Sequence, residues 1–141
     1  ADAFSGKHTR VVAVCAQLEM DLAQIDPKEE ETFRREMGAG ESSLNRLVRA
    51  SYDVVGQISF FTVGKDEVRA WEIRKNTKAQ EAAKKIHTDL GRGFIRAEVI
   101  SHETLVECGG LGEARKRGVL RQEGKDYILE DGEIMHVLFN V

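Results

Sequence analysis

Four groups of residues could do chemistry: a Gly-Lys pair near the start, two cysteines, four histidines, and cations gathered between residues 69 and 96. The Gly-Lys pair lies in Ser5-Gly6-Lys7-His8-Thr9. A phosphate-cradling loop needs an upstream Gly at fixed spacing and a Ser or Thr directly after the Lys, and it opens a helix. This pair has neither and precedes a strand-like run, so it reads as chance. Hydrolysis of nucleotide is not expected of these residues by themselves. Cys15 and Cys108 are far apart and neither belongs to a CxxC pair. A zinc site takes about four ligands, and His8, His87, His102 and His136 are as scattered as the cysteines. Metal binding is therefore not expected. Cys15 also lacks a nearby His or carboxylate to activate it as a nucleophile.

The cations are more suggestive. Arg69, Arg74, Lys75, Lys78, Lys84, Lys85, Arg92 and Arg96 stand against Glu72, Glu81 and Asp89. Lys75, Lys78 and Lys85 can gather around a helix start and along one helical face. That is a footprint for phosphate contacts, or equally a solvated helix face. The chain as a whole carries a net charge of −3, which argues against indiscriminate polyanion binding. His87 ends the same helix. It can make a polar contact to RNA or another domain, or cap the helix through a local carbonyl. Trp71 alternates with Arg69 and Ile73, so core packing is favoured over base stacking. His102 and His136 read as edge-strand or surface residues, and Asp131-Gly132 as a turn without chemistry.

The elements that must position these residues follow from periodicity. Val11–Cys15 is a short β-branched run and predicts a buried strand. Residues 16–25 carry Leu18, Leu22 and Ile25 at helical spacing. Asp26-Pro27 is a helix start in which Asp26 caps the free N–H groups and Pro27 loses nothing at the first position. Phe33 and Met37 share a face, and Gly38 ends the helix. Ser42 or Ser43 can cap a further helix with Leu44, Leu47, Val48, Tyr52 and Val55 as its apolar stripe. After Gly56 the period becomes that of strands: 58–63 and 67–73 predict a hairpin around Gly64-Lys65-Asp66. Thr77 and Gln80 fit a capping box for a helix reaching about His87. Strands are predicted at 94–100, 127–129 and 134–139, and a short helix at 112–117. The reading is an α+β domain with a mixed sheet and one principal helix across it. A β-grasp, ubiquitin-like arrangement fits that order. The switch at Gly56 divides the chain into 1–56 and 57–141.

With 141 residues and 41% hydrophobic content, the chain is long enough for one packed domain or a small domain with an appendage. No run approaches the roughly 18 apolar residues of a membrane span, and no signal peptide opens it. Sparse, separated cysteines fit the reducing cytoplasm. The chain starts with Ala1, compatible with a piece of a larger protein or with removal of Met.

Several long motifs in order resemble the YchF family of Obg-like ATPases. Residues 60–71 (FFTVGKDEVRAW), 86–100 (IHTDLGRGFIRAEVI), 123–128 (EGKDYI) and 131–141 (DGEIMHVLFNV) are similar to that family's C-terminal TGS domain. Residues 44–52 (LNRLVRASY) are similar to the segment preceding it. The resemblance covers nearly everything from Val11 onward. It implies a parent with a P-loop nucleotide-binding domain, a helical insertion and the TGS domain. Such a parent hydrolyses ATP or GTP with magnesium and associates with ribosomes. Val11–Cys15 would then be the last strand of the nucleotide domain, followed by helices that lead to the TGS domain. Cys15, Ala16 and Gln17 would help frame the purine base. No cofactor is expected on this chain alone. The implied partners are the ribosome or ribosomal RNA and the parent's own nucleotide domain, with no membrane and no DNA specificity. The implied contact set is Lys75, Lys78, Lys84, Lys85, His87, Arg92 and Arg96. The chain departs from the family pattern at Asn76 and Gln80, where Gly and Pro are usual, and at Lys84, where Gly is common.

Overall fold

The structure is a computed structural model and describes residues 6, 8–64 and 66–140. Ser5 and Lys7 of the Gly-Lys motif, Lys65 of the hairpin turn and Val141 at the end lie outside the described residues. The chain divides into two compact units, Ala1–Val55 and Gly56–Val141.

The first unit is helical: α1 (Ala16–Leu22), α2 (Pro27–Glu36) and α3 (Ser43–Val55). The caps follow the sequence closely. The Asp26 carboxylate accepts from the Lys28 N–H at 2.8 Å, and the Ser42 hydroxyl accepts from the Asn45 N–H at 3.2 Å. Gly38 follows α2 with φ +63°, a left-handed conformation that costs glycine nothing. The stripe of α3 is present by spacing, yet Leu44, Leu47, Val48 and Val55 are all exposed. The expected strand at Val11–Cys15 does not form. A strand exists only where its backbone groups find a neighbouring ladder, and no described residue pairs with this segment. Instead the Arg46 guanidinium donates to the Ala13 carbonyl, and Cys15 is the N-cap residue of α1.

A charged knot ties the three helices. Arg34, on α2 and buried, donates to Glu19 of α1 at 2.5 and 3.1 Å and to Glu30 at 2.8 Å. Glu19 also accepts the Ser43 N–H at 3.0 Å, fixing the start of α3. These hydrogen bonds, Arg34 first and Ser43 next, lower the Glu19 carboxyl from an ordinary 4.5 to about 2. A carboxyl held low in the folded chain stabilises it fully above its unfolded value and stops doing so as pH falls through the folded one. Helical signal is therefore expected to weaken between about pH 4.5 and pH 2. Glu19→Gln should remove that pH dependence while lowering stability at neutral pH, as read by thermal melts across the range. An unchanged acid limb in the variant would show that the knot does not contribute.

The second unit is an α+β fold on a mixed sheet. Its elements are β1 (Gln57–Val63), β2 (Val68–Arg74), α4 (Ala79–Ile86), α5 (Thr88–Arg92), β3 (Phe94–Ser101), α6 (His102–Cys108), α7 (Leu111–Lys116), β4 (Arg121–Glu123) and β5 (Glu133–Phe139). The order across the five-stranded sheet is β2-β1-β5-β3-β4. β1 and β2 form the predicted antiparallel hairpin, and β1 runs parallel to β5. Strand side chains alternate between faces, which gives two cores. Ile58, Phe60, Ile73, Ala97, Val99 and Met135 pack under Ala79, Ala82 and Ala83 of α4. Ile100 and Ile134, on the other face, pack with Cys108 and Ala114 of α6 and α7. Trp71 packs half-buried against the first core, as its alternation predicts.

Two local expectations are corrected. Thr77 and Gln80 make no capping box: the Thr77 hydroxyl donates to the Arg74 carbonyl at 2.7 Å, and the Gln80 amide to Gly91 O at 3.0 Å. The free N–H groups at the start of α4 are met from far along the chain. Ala79 donates to Tyr127 O at 2.7 Å and Gln80 to Lys125 O at 3.3 Å. The backbone loop has taken the place of the side-chain cap. For the same reason 127–129 is not a strand. Its one bridge, Lys78↔Ile128, joins it to the residue that precedes α4 and not to the sheet, and the strand that pairs with β3 is β4. α5, α6 and β4 have no counterpart among the elements that periodicity predicts. Asn76 sits at φ +68°, so it does the work of the glycine it replaces.

Candidate functional site

α4 and α5 meet in a tight corner at His87. This residue closes α4 and caps α5 in one extended conformation, φ −158° and ψ 143°. Its backbone N–H donates to Ala83 O at 3.1 Å. Its Nδ1 accepts the Asp89 N–H at 3.3 Å, so the imidazole caps the following helix rather than binding a carbonyl of its own. The corner closes because Gly91 lies against Lys84. A Cβ at Gly91 would stand 2.5 Å from the Lys84 Cβ and 2.8 Å from its Cα. The two helices leave a cleft of 420 Å³ lined by Gln80, Glu81, Lys84, Thr88, Gly91 and Arg92.

The structure sorts the expected cations into three groups. Lys84 and Arg92 both line the cleft. Lys84 and Lys85 are exposed and have no ion pair among the described residues, and Arg92 reaches only as far as 3.9 Å from Asp89. The second group is already engaged. Lys78 pairs with Asp126 at 2.8 Å; that hydrogen bond raises the lysine pKa and lowers that of the aspartate. Lys75 has a partner as well. Arg96 forms the third group. Ala97 and Val99 point into the core under α4, so Arg96 projects from the opposite face, with Glu98 and Ile100. The sheet separates it from Lys84, Lys85 and Arg92.

Arg69 stacks over Trp71 at 4.5 Å, and the indole N–H donates to Thr62 at 3.0 Å. His102 opens α6 and is exposed, and His136 is exposed on β5, an inner strand rather than an edge. In the first unit Cys15, Ala16 and Gln17 are all exposed, and Gln17 donates to Asp21 at 2.9 Å. Among the described residues no group of His, Cys, Asp and Glu is placed to hold a metal, and no helix is long and apolar enough to cross a membrane. Gln80 and Thr88 line the cleft of the corner and Asp126 engages Lys78 before α4, and residue type and spacing do not mark these three as site residues. For Asp126 no local signal exists, since its partner is 48 residues away.

Fold and surface together define the class: an α+β module on a mixed sheet, with a cationic helical corner, following a helical unit. Residues 57–140 match the family model YchF-GTPase_C, described as a protein of unknown function (DUF933). The chain belongs to this YchF C-terminal family. It is 43% identical over 137 residues to the ribosome-binding ATPase YchF of Bacillus subtilis (strain 168), covering 97% of this chain and 37% of that protein. It is 47% identical over 131 residues to the protein of the same name from Escherichia coli O157:H7, covering 93% and 36%. The solved structure of the Schizosaccharomyces pombe YchF GTPase superposes with a TM-score of 0.69 at 32% identity, covering 84% of this chain and 31% of that one. The chain thus spans a little over a third of the length of these curated relatives.

Proposed function

We propose that this chain is the C-terminal part of a ribosome-associated P-loop nucleotide hydrolase, and that residues 57–141 are a TGS domain of β-grasp type that docks on ribosomal RNA. The observation that carries the docking surface is the α4–α5 corner, where Lys84, Lys85 and Arg92 present charge not neutralised by a close ion pair. Cations without close partners are the ones that gain by meeting phosphate. The names of the relatives support the ribosome as partner. In the intact protein ATP or GTP with magnesium would be bound by the preceding domain, with Cys15, Ala16 and Gln17 beside the base. The protein would work in the cytoplasm, and the corner has no built preference for DNA sequence.

A second reading has its own support. Leu44, Leu47, Val48 and Val55 leave an apolar face of α3 exposed. Packing of that face on the nucleotide domain would make part of this chain a structural and regulatory element of the parent.

Ribosome co-sedimentation of the intact protein separates the two. Lys84→Glu, Lys85→Glu and Arg92→Glu together are expected to weaken association at least about tenfold, with the salt slope falling by about one for each phosphate no longer bound. Asp126→Asn is expected to strengthen association, because it frees Lys78. Lys75→Glu and Arg96→Glu should matter less, being engaged or on the far face. Unchanged binding in the triple variant would remove the corner as the docking surface.

A further inference from the structure

β2 is one outer edge of the sheet. It is seven residues long and runs in unbroken register with β1, from Gln57↔Arg74 to Val63↔Val68. It contains neither a proline nor a bulge, two of the usual devices that blunt an edge. The flanking hydrogen bonds fix its phase. Gly64 N–H donates to Glu67 O at 2.8 Å, and Lys75 N–H to Gly56 O at 2.9 Å. Both lie on the β1–β2 register, so the bonded pairs use even residues of β1 and odd residues of β2. In an antiparallel ladder alternate residues turn their backbone groups to opposite sides. Val68, Ala70, Glu72 and Arg74 therefore direct their N–H and C=O groups outward, where no described strand pairs with them. All four residues are exposed. The opposite edge, β4, has only three residues.

We infer that β2 is a self-pairing edge, through which two copies of this chain join antiparallel about a two-fold axis at Ala70. The charges select this occupant and this register. With the axis at Ala70, even residues meet even residues, as the outward backbone groups require. Arg69 of one copy then lies opposite Trp71 of the other, extending the stacking each already makes within its own strand at 4.5 Å. Arg74 lies opposite Asp66, and each of these pairs occurs twice. The small Ala70 side chains meet at the centre, and from Asp66 to Arg74 no like charges are directly opposed. Moving the axis to Trp71 would set Arg74 opposite Val68 and lose both Arg74–Asp66 pairs.

Sedimentation velocity of the 141-residue chain over a range of concentrations tests this. A monomer–dimer equilibrium is expected, visible also in the emission of Trp71, the single tryptophan. Ala70→Pro removes only an outward N–H, leaving the bonds to β1 in place. It is expected to raise the dissociation constant at least about tenfold. Ala70→Lys, which sets two charges against each other at the axis, should do the same without touching the backbone. Arg74→Asp and Asp66→Arg should each dimerise poorly alone, yet form a mixed dimer when combined, because both pairs then join opposite charges, one as in the wild type and one reversed. A wild-type chain that stays monomeric throughout overturns the inference. So does a dimer indifferent to both Ala70 variants, since it would use another surface.

Discussion

Gly93→Ala is expected to destabilise the second unit by about 3 kcal/mol or more, the upper range for overpacking a site that cannot yield. Backbone conformation is not the reason, since φ is −90°. The reason is distance: a Cβ at Gly93 would stand 2.9 Å from the Asn140 carbonyl carbon and closer still to its oxygen. That carbonyl cannot move aside freely, because the Asn140 N–H donates to Gly93 O at 3.0 Å. Gly93 N–H in turn donates to Asp89 O at 2.8 Å, tying the end of α5 to the end of β5. Urea unfolding followed by far-ultraviolet circular dichroism should show the loss. Gly91→Ala makes a useful companion, because its obstacle includes a side chain, the Lys84 Cβ at 2.5 Å. Lys84→Gly is expected to recover part of the loss in Gly91→Ala and none in Gly93→Ala. The lysine found where Gly is common in the resembling family is thus accommodated by the glycine that faces it.

Glu133→Ala is expected to cost about 2–3 kcal/mol, the range for leaving partly buried polar partners without their acceptor. Glu133 is 3% exposed. It accepts from the Arg121 guanidinium, from the Tyr127 hydroxyl at 2.8 Å and from the Glu130 N–H at 2.9 Å. Three segments are held by one carboxylate: β4, the 125–130 loop and the start of β5. The same loop supplies the carbonyls that cap α4, so its loosening should reach the α4–α5 corner. Tyr127 reports on the arrangement. Burial first, and then the hydrogen bond to Glu133, push its hydroxyl from an ordinary 10.0 to about 12. A tyrosine raised in the folded chain stabilises it below its unfolded value and loses that contribution as pH climbs through the folded one. Stability is therefore expected to fall between about pH 10 and pH 12. In Glu133→Gln the Tyr127 absorbance titration should move down toward its ordinary value, with burial retaining part of the shift. No movement would mean that Glu133 does not act on Tyr127.

Much of the fold was legible in local pattern. Period-2 alternation placed β1, β2, β3 and β5 within a residue or so, because burial of one face imposes that alternation. Asp26-Pro27 and Ser42 marked helix starts, since the free N–H groups there need an acceptor within reach. The failures share a cause. Val11–Cys15 has strand composition but no ladder. Arg121–Glu123 has a ladder but no strand composition. The N-terminus of α4 has a capping sequence that the chain does not use. In each case the outcome turns on whether a partner distant in sequence is present, which local pattern does not carry.

The cationic surface divides in the same way. Residue types alone determined that cations concentrate between residues 69 and 96 and that a helix and a strand carry them. Family resemblance followed from the motifs, and the matches to YchF relatives agree with it. Only the tertiary structure decided which cations stand together. Asp126 folds back to neutralise Lys78, the sheet places Arg96 on the far face, and Gly91 lets α5 close on α4 so that Lys84 and Arg92 share one cleft. Charge is a property of the residue, and a chain can be counted for it. Whether that charge is free to meet a partner depends on neighbours brought from elsewhere in the chain, and those are set by packing.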